Sequence, residues 1–555
     1  VQTKIDSVGL WKASAKKRAS VLRQVADLYE ENADDLFALL THEAGKNLPD
    51  CIGELREAID FLRFYAAEAE LNPAPPAGVF VCISPWNFPL AIFTGQIAAA
   101  LASGNGVLAK PAESTSMIAY FTIELMHRAG VPVSALQLVV GQGNVVGPEL
   151  CSAPSVAGVC FTGSMATANM INRTMASQLP SHIPLIAETG GLNAMIVDST
   201  ALLEQAVRDV LASAFQSAGQ RCSALRMLYI QSDIASDFQK MLFGSMQALV
   251  VCDPVRIDCD VGPLIDQTAQ EKVLQYIDQG NILLKTKAPE YGFFVPPTVL
   301  AVSGIGDLKE EIFGPVLHLA TFNSDELDQV IDEINTSGYG LTFGLHSRID
   351  DRVQRVLSKV DVGNLYINRN QIGAVVGSQP FGGHGLSGTG PKAGGPRYLP
   401  RFALQNLLCV EGDLPPRMTA KEVSNAFVKK RNFLPLMPVD LPGPTGESNR
   451  YSLVPRQRVL CMGAGAEKYV KRALELGCYA IAATLDEDDL TLIEDLEAVV
   501  YSGSNSARVR QALSKRAGPI VPILMDENFE VWLMREQSIC IDTTAAGGNA
   551  ALLAG

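Results

Sequence analysis

Metal-binding and disulfide patterns are missing from this sequence. It has 11 cysteines, an odd number, yet no Cys-x-x-Cys pair and no group of cysteines and histidines at metal-ligand spacing. No signal peptide is visible either. Scattered thiols of this kind are typical of the reducing cytoplasm, where most cysteines pack as small hydrophobic side chains. We therefore expect a cytoplasmic protein without a metal site.

A hydrophobic run long enough to span a bilayer and an excess of positive charge are also lacking. The most apolar stretch, LAIFTGQIAAALASG at residues 90–104, is interrupted by Thr, Gln and Gly, so we expect a core helix there. The net charge of −14 argues against nucleic acid or an anionic membrane as the main partner. It does not exclude an anionic small substrate, because a binding site can be locally basic.

The composition itself is that of a folded protein, with 47% hydrophobic and 19% charged residues in a chain of 555. That length exceeds one core, and about three domains are expected. Apolar positions at helical spacing predict successive helices in 12–70. Short apolar runs then alternate with helical patterns from 79 to about 370, which favours parallel α/β sheets. The Pro-rich stretch 411–455 is typical of a linker, and the pattern after it predicts another α/β unit.

Cys222 lies in FQSAGQRCSA, residues 215–224, among small side chains that leave access to its sulfur. A nucleophilic cysteine needs such access and a stabilised thiolate. Taken alone, a structural cysteine is the commoner case, and none of the six histidines lies in a motif that supports a papain-like pair. The local sequence leaves both interpretations open.

Two further polar residues are ambiguous in the same way. Glu188 follows an apolar strand and precedes Thr-Gly-Gly, so it is either a helix cap or a general base. Asn87, in CISPWNFPLAIF, either bonds its own backbone as a loop residue or donates to a developing oxyanion.

Anion and ribose contacts are suggested at two strand ends. Lys110 and Glu113 come just past a strand, where α/β sheets bind ligands, and an acid there accepts from ribose hydroxyls and repels a 2′-phosphate. Gly163 and Ser164 open a helix whose N–H groups and hydroxyl suit a phosphate. No G-x-G-x-x-G fingerprint occurs at either place.

Together, these stretches resemble the NAD(P)-dependent aldehyde dehydrogenase superfamily. The resemblance covers residues 1 to about 410, and Glu188 and Cys222 are 34 positions apart (222 − 188), as in that family. The matching stretches, in order, are PWNFP, KPAE, FTGS, ETGG, GQRCS, EEIFGPV and PFGGHGLSGTG.

A narrower resemblance is carried by the stretches ISPWNFPLAIFTGQIAAALASGN, IAETGGLNAMIVD, SAFQSAGQRCSALR and GGHGLSGTGPKAGGPRYLPRF. They resemble the glutamate-γ-semialdehyde (pyrroline-5-carboxylate) dehydrogenase module of bacterial bifunctional proline utilization A. It implies an FAD-dependent proline dehydrogenase domain upstream, a homodimer, and a C-terminal α/β domain that covers a tunnel. The first residues, helical and without an initiator Met, agree with a segment of a longer chain.

The resemblance implies an aldehyde dehydrogenase-like α/β fold with a Rossmann-type NAD-binding domain. We expect the NAD-binding domain with its N-terminal helices at 1–187, and the catalytic domain at 188–370. A substrate anchor loop and a return to the NAD-binding and oligomerisation region follow at 371–410. The linker takes 411–455. Residues 456–555 form the additional α/β domain, expected to be a non-catalytic lid.

Site roles also follow from the resemblance. Cys222 is implied to be the nucleophile, Asn87 the oxyanion donor and Glu188 the general base that hydrolyses a thioester. NAD is implied as the cofactor, with contacts from Lys110, Glu113, Gly163, Ser164, Glu311 and Phe313. The substrate, glutamate semialdehyde, is implied to contact Phe88, Ser223, Gly373, Ala374 and Glu57.

Other functions remain to be distinguished. One is an aldehyde dehydrogenase for a different carboxylate semialdehyde. Another is a catalytically silent scaffold or lid, which the presence of Cys222, Glu188 and Asn87 disfavours. A thiol hydrolase without NAD is disfavoured by Lys110, Glu113 and Glu311.

Overall fold

The computed structural model describes residues 1–409, 411–427 and 436–546. Its first part is a helical layer, as the spacing of apolar residues in 12–70 predicts. Ser14 and Asn47 cap two of these helices by accepting from backbone N–H groups, and Gly45 ends another in the left-handed conformation at φ 64°. The helices are α1 (Gln2–Ser7), α2 (Ala15–Glu31), α3 (Ala33–Ala44) and α4 (Leu48–Leu71).

A five-stranded parallel sheet in the order β3-β2-β1-β4-β5 follows, with helices between its strands. Its central strands are buried apolar runs, as expected for a sheet covered on both faces. The elements are β1 (Val79–Ile83), α5 (Ala91–Ala102), β2 (Gly106–Lys110), α6 (Ser116–Arg128), β3 (Leu136–Leu138), α7 (Gly143–Cys151), β4 (Val156–Thr162), α8 (Met165–Gln178) and β5 (Leu185–Glu188). The chain reverses its direction of winding at β1, so a crevice opens at the carboxyl ends of β1, β2 and β4.

The second α/β region supplies seven of the ten strands of a larger sheet and the two-stranded ribbon β11/β14. Its elements are β6 (Ala194–Val197), α9 (Leu203–Phe215), β7 (Met227–Gln231), α10 (Ala235–Gln247), α11 (Gln267–Asp278), β8 (Asn281–Lys285), β9 (Thr298–Ala301), β10 (Val316–Phe322), α12 (Leu327–Thr336), β11 (Tyr339–Gly340), β12 (Thr342–His346), α13 (Asp350–Leu357), β13 (Asn364–Ile367) and β14 (His384–Gly385). These two regions confirm the predicted α/β architecture.

The last part of the chain adds a four-stranded parallel sheet in the order β18-β17-β19-β20. Its elements are α14 (Ala420–Ala426), β15 (Leu436–Leu441), β16 (Glu447–Pro455), β17 (Val459–Gly463), α15 (Ala466–Glu475), β18 (Ala480–Ala482), β19 (Ala498–Ser502), α16 (Ser506–Ser514), β20 (Ile523–Leu524), α17 (Phe529–Leu533) and β21 (Met534–Asp542).

The structure differs from the predicted linker at 411–455. That segment contains α14, β15 and β16, while its residues 428–435 lie outside the described residues. Strand β16 pairs antiparallel with β21 from Glu447↔Asp542 to Pro455↔Met534, and β21 pairs parallel with β13. The larger sheet therefore has the order β15-β16-β21-β13-β12-β6-β7-β10-β9-β8. Because of the prolines in and near these strands, the segment looks like a linker in the sequence. The strands are stabilised by a partner that lies far away in the chain, which the local sequence does not show.

The last strand of the predicted C-terminal domain thus belongs to the larger sheet, next to β13 of the predicted catalytic domain. Residues 547–555 of that predicted domain lie outside the described residues. Within the described part of the chain, no helix combines the length and the apolar character needed to cross a membrane.

Candidate active site

The loop that carries Cys222 leaves α9 through three consecutive residues in the left-handed region. Ser217, Ala218 and Gly219 have φ values of 55°, 54° and 69°. At Gly219 a Cβ atom would lie 2.2 Å from the carbonyl oxygen of Gly314, so only glycine fits. Strain of this kind persists only where the surroundings fix it, and it is concentrated at functional sites.

Two buried side chains hold this loop in place through hydrogen bonds to its carbonyl oxygens. The Arg226 guanidinium donates to the carbonyl oxygens of Gly219 at 2.8 Å and Arg221 at 3.0 Å. The Asn193 amide donates to the carbonyl oxygens of Cys222 at 2.6 Å and Ala224 at 2.9 Å. Neither residue is among the predicted site residues, although a polar residue at the start of a buried apolar strand is a usable signal for Asn193.

The Cys222 thiol lies in an environment that opposes ionisation. Burial raises its pKa to about 12, and the nearby carboxyls of Glu311, Glu188 and Glu57 add to that effect. Arg221, its neighbour in sequence, instead donates to Asp50 at 2.8 Å and to the Ser217 hydroxyl at 3.1 Å. Such surroundings favour the protonated thiol, so the sulfur must lose its proton before it can act as a nucleophile.

Glu188 ends β5 with its side chain turned towards the glycine turn at 382–383. Its Oε2 accepts from the Gly383 N–H at 3.0 Å, and its buried Oε1 has no hydrogen-bond partner in the structure. Burial raises the pKa of this carboxyl to about 8, against a smaller lowering by that N–H and by Lys392. A carboxyl poised near pH 8 with one free oxygen is suited to general-base catalysis.

Asn87 lies in the loop after β1 and is buried. Its Nδ2 donates to the carbonyl oxygen of Gln220 at 3.1 Å, which ties this amide to the loop that carries Cys222. An amide nitrogen carries two hydrogens, so the second remains available for an oxygen in the site.

Two cavities meet at Cys222, which lines both. The larger has a volume of about 1000 Å³, and the predicted site residues that line it, besides Cys222, are Asn87, Lys110, Glu113, Gly163, Ser164, Glu311 and Phe313. The smaller has a volume of about 100 Å³, and those that line it are Glu57, Phe88, Glu188, Ser223, Gly373 and Ala374. The structure therefore brings every predicted site residue to one of two adjoining cavities. Among the described residues that line them there is no histidine.

One end of the larger cavity fits the diphosphate and ribose of a dinucleotide. Ser164 caps α8 by accepting from the Thr167 N–H at 3.2 Å, and the first turn of the helix opens into the cavity. Glu113 accepts from the Gly143 N–H, and Lys110 lies 3.5 Å from the same carboxylate. The Glu113 side chain is about half exposed, which leaves an acceptor for ribose hydroxyls.

The other end of that cavity is shaped by Glu311 and Phe313. Glu311 accepts from Arg226 at 2.9 Å and from the Gly191 N–H at 3.2 Å. Burial raises its pKa, while Arg226 opposes that shift. The Phe313 ring packs edge-on against Trp86 with centroids 5.6 Å apart. This wall is preorganised by partners from three different segments.

The smaller cavity combines aromatic walls with charge. Phe88 has the Lys46 ammonium 4.7 Å and the Arg221 guanidinium 5.4 Å from its ring centre. Burial, reinforced by Glu54, raises the pKa of Glu57 to about 8. Gly373 has φ 72° and lies on the rim with open space around it. In the described residues, no group of three or more His, Cys, Asp or Glu is arranged to hold a metal ion.

The chain has a doubly wound sheet beside a second α/β sheet, and Cys222, Glu188 and Asn87 line the two cavities described above. This combination defines an aldehyde dehydrogenase. The Aldehyde dehydrogenase family matches residues 5–405, and the chain belongs to this family. The predicted family and fold are thereby confirmed.

Relatives within the family narrow the comparison. The Bifunctional protein PutA of Salmonella typhimurium is 41% identical over 630 aligned positions, which cover 100% of this chain and 48% of the relative. The 1-pyrroline-5-carboxylate dehydrogenase of Geobacillus sp. (strain WCH70) is 36% identical over 414 positions, covering 70% of this chain and 80% of that relative. The chain therefore spans about half the length of PutA.

Solved structures that resemble this chain carry the same two names, PutA and 1-pyrroline-5-carboxylate dehydrogenase. A mutant of Bradyrhizobium japonicum Proline Utilization A (PutA) aligns at a TM-score of 0.69 and 49% identity, covering 71% of this chain and 42% of that chain. The 1-pyrroline-5-carboxylate dehydrogenase from Thermus, solved with bound NAD, aligns at a TM-score of 0.67 and 33% identity, covering 72% and 82%.

Proposed function

We propose that this chain oxidises L-glutamate γ-semialdehyde to L-glutamate with NAD, the second step of proline catabolism. The observation that carries the proposal is Cys222, which lines both a cavity fitted to a dinucleotide and a small charged cavity. Further support comes from the relatives named 1-pyrroline-5-carboxylate dehydrogenase and from the Thermus structure with bound NAD.

The residues around Cys222 divide the chemistry between them. The Cys222 thiol gives its proton to water in the cavity, and the sulfur then attacks the aldehyde carbon. The resulting thiohemiacetal oxygen accepts hydrogen bonds from the Asn87 amide and the Cys222 backbone N–H. NAD, when bound, supplies the acceptor for the hydride that leaves this carbon. Glu188 then accepts a proton from water as that water attacks the thioester on Cys222. Glutamate is released, and the proton restores the thiol.

NAD would be held along the larger cavity. Ser164 and the first turn of α8 suit the diphosphate, and Lys110 and Glu113 suit the adenosine ribose. Glu311 and Phe313 suit the nicotinamide end, because they line the same cavity as Cys222.

The small cavity accounts for a five-carbon substrate with a carboxylate and an ammonium group. The N–H groups of the turn at Gly373 and Ala374 face a carboxylate as an anion nest, and Glu57 offers a carboxyl to the ammonium. Phe88 and Ser223 line the path of the aliphatic chain. Ala374 brings no hydroxyl to this nest, so backbone donors act there without one.

The context of the chain is also part of the proposal. We infer a longer bifunctional protein with an FAD-dependent proline dehydrogenase domain upstream, because PutA relatives are about twice as long. We also infer a homodimer, a cytoplasmic location and a non-catalytic lid that corresponds to residues 456–555 of the sequence. The lid role is supported by β21, which joins the catalytic sheet.

The test is NADH formation over a panel of aldehydes that vary in length and charge. We expect kcat/KM to be highest for glutamate semialdehyde, and Cys222→Ala to form no NADH. A preference for another carboxylate semialdehyde would mean that this compound, and not glutamate semialdehyde, is the substrate. A preference for uncharged aldehydes would exclude carboxylate semialdehydes as the substrate class.

A further inference from the structure

A third cavity, of about 90 Å³, lies between the five-stranded sheet and the four-stranded C-terminal sheet. It is lined from β5 and its preceding loop on one side and from α16, β20 and β21 on the other. Arg401, Arg456 and Arg510 line it and line neither cavity at Cys222. Its place and lining separate it from the site proposed for NAD and aldehyde.

The lining of this cavity is strongly positive. Glu536 is its one carboxylate among the described residues, and its two oxygens accept from the Tyr451 hydroxyl at 2.8 Å and the Lys392 N–H at 2.9 Å. The cations that line it are Lys392, Arg397, Arg401, Arg456, Arg510 and Arg535. The cationic groups therefore outnumber the acids around a partly enclosed space, where unpaired charge is unfavourable.

Three of these guanidinium groups are not neutralised at short range. Arg510 donates to the Pro180 carbonyl oxygen at 2.7 Å, Arg456 donates to the Trp532 carbonyl oxygen at 3.0 Å, and Arg401 lies 4.5 Å from the Trp532 ring centre. Over the described ranges, none of the three has a carboxylate within 4.0 Å, and Asp526 and Glu497 act on Arg401 and Arg456 only from farther away. Burial lowers the pKa of each to about 10.

Hydrogen-bond donors are also left over at this cavity. Ser181 is buried and lines it, yet its hydroxyl has no partner in the structure. Arg535 pairs with Asp361 at 2.9 Å, but its Nη2 is buried without a partner. Buried polar groups are nearly always hydrogen-bonded, so orphaned donors beside unpaired cations point to a missing acceptor.

We propose that this cavity binds a small oxyanion of the phosphate class, held by the guanidinium groups of Arg401, Arg456 and Arg510 and by the Ser181 hydroxyl. Guanidinium forks match the paired oxygens of phosphate and carboxylate groups. The volume accommodates a group the size of inorganic phosphate and not a nucleotide. The ligand bridges the NAD-binding domain, through Ser181, to the C-terminal domain, through Arg510.

The experiment titrates the full chain with sodium phosphate while chloride keeps the ionic strength constant. NAD is held at saturation, so that its own phosphate-binding residues are occupied, and binding is followed by calorimetry and by the unfolding midpoint. We expect saturable binding that Arg510→Gln and Arg401→Gln each weaken roughly tenfold or more, since each removes a charge-assisted contact. Arg472→Gln is the matched control, because Arg472 also lies 4.5 Å from an aromatic ring, that of Phe529, but lines a different surface.

A parallel titration with sodium glutamate distinguishes a phosphate from a carboxylate source. Saturable binding of either anion that is lost in both glutamine variants supports an oxyanion site and identifies its source. No saturable binding, or binding that is equal in Arg510→Gln, Arg401→Gln and wild type, overturns the proposal. If a glutamine variant does not fold, Arg510→Lys keeps the charge without the fork and is expected to bind with intermediate affinity.

Discussion

Asn193 holds the loop that carries Cys222 by donating to the carbonyl oxygen of Cys222 at 2.6 Å. The same side chain donates to the Ala224 carbonyl oxygen at 2.9 Å and accepts from the Thr342 N–H at 3.2 Å. One amide thereby ties Cys222 and Ala224 to the start of β12. The position of the sulfur between the two cavities depends on a residue that takes no part in the proposed chemistry.

Asn193→Ala is expected to lower kcat by roughly 10- to 100-fold, because a displaced nucleophile loses much of its advantage of orientation. The KM for aldehyde should change little, since the small cavity keeps its own walls. Steady-state kinetics separates the two. Asn335→Ala is the control, because Asn335 bridges Lys359 and Asp361 in the same way but lies outside both cavities. An Asn193 variant as active as this control would contradict the positioning role.

Gly219→Ala is expected to abolish most activity and to destabilise the fold. The new methyl group would lie 2.2 Å from the Gly314 carbonyl oxygen at φ 69°. Gly518→Ala separates strain from clash, because Gly518 has φ 88° and open space around it. Chemical denaturation should show a loss of about 1 kcal/mol for the control and a larger loss for Gly219→Ala. Equal losses would mean that the loop moves freely to admit a side chain.

The hydrolysis step should depend on pH through Glu188. Since the pKa of its carboxyl is raised from 4.5 to about 8, the rate of thioester hydrolysis should rise with pH and level off above about 8. Lys392→Met removes a cation that lowers this pKa, so its profile should move to higher pH. Single-turnover measurements over pH 6 to about 9.5 follow this limb. A profile unmoved by Lys392→Met, with exposed Lys272→Met as control, would exclude this coupling.

The raised pKa of Glu188 should also affect the stability of the fold. Rising pH should lower the stability, whereas it raises the rate of hydrolysis. A carboxyl whose folded pKa lies above its unfolded value makes the native state less stable as pH rises from 4.5 to about 8. Glu188→Gln should therefore unfold at a higher temperature than wild type at pH 8, while the two converge near pH 4. Calorimetry at both pH values checks this, and a destabilised variant at pH 8 would contradict the raised pKa.

Cofactor choice should change at Glu113. Glu113→Gln removes the negative charge that opposes a 2′-phosphate, so kcat/KM for NADP should rise and that for NAD should fall. The control is Glu310→Gln, which lines the same cavity but pairs with Lys272 at 2.8 Å. If both variants keep the wild-type ratio of NAD to NADP, Glu113 does not contact the ribose.

Much of this arrangement could be predicted from the sequence. Apolar runs alternating with helical patterns are sufficient for the five-stranded sheet, and ligand residues at its strand ends follow from the rule for α/β crevices. Cys222 and Glu188 were ambiguous separately, and only the ordered set of motifs assigned them roles.

Contacts between distant segments could not be predicted. The direction of the Arg221 side chain depends on Asp50, 171 positions away. The pairing of β16 with β21 likewise joins segments that no local pattern connects. Nor does local sequence show that Arg226 is a buried anchor of the loop that carries Cys222.

The central claim is that Cys222 carries the substrate as a thioester that Glu188 hydrolyses. The most direct measurement is the intact mass of Glu188→Gln after mixing with NAD and glutamate semialdehyde, with NADH recorded in parallel. We expect about one NADH per chain, followed by little turnover, and a glutamyl adduct that maps to Cys222. The double variant with Cys222→Ala should show neither. An adduct on another residue, or full turnover without Cys222, would contradict the account.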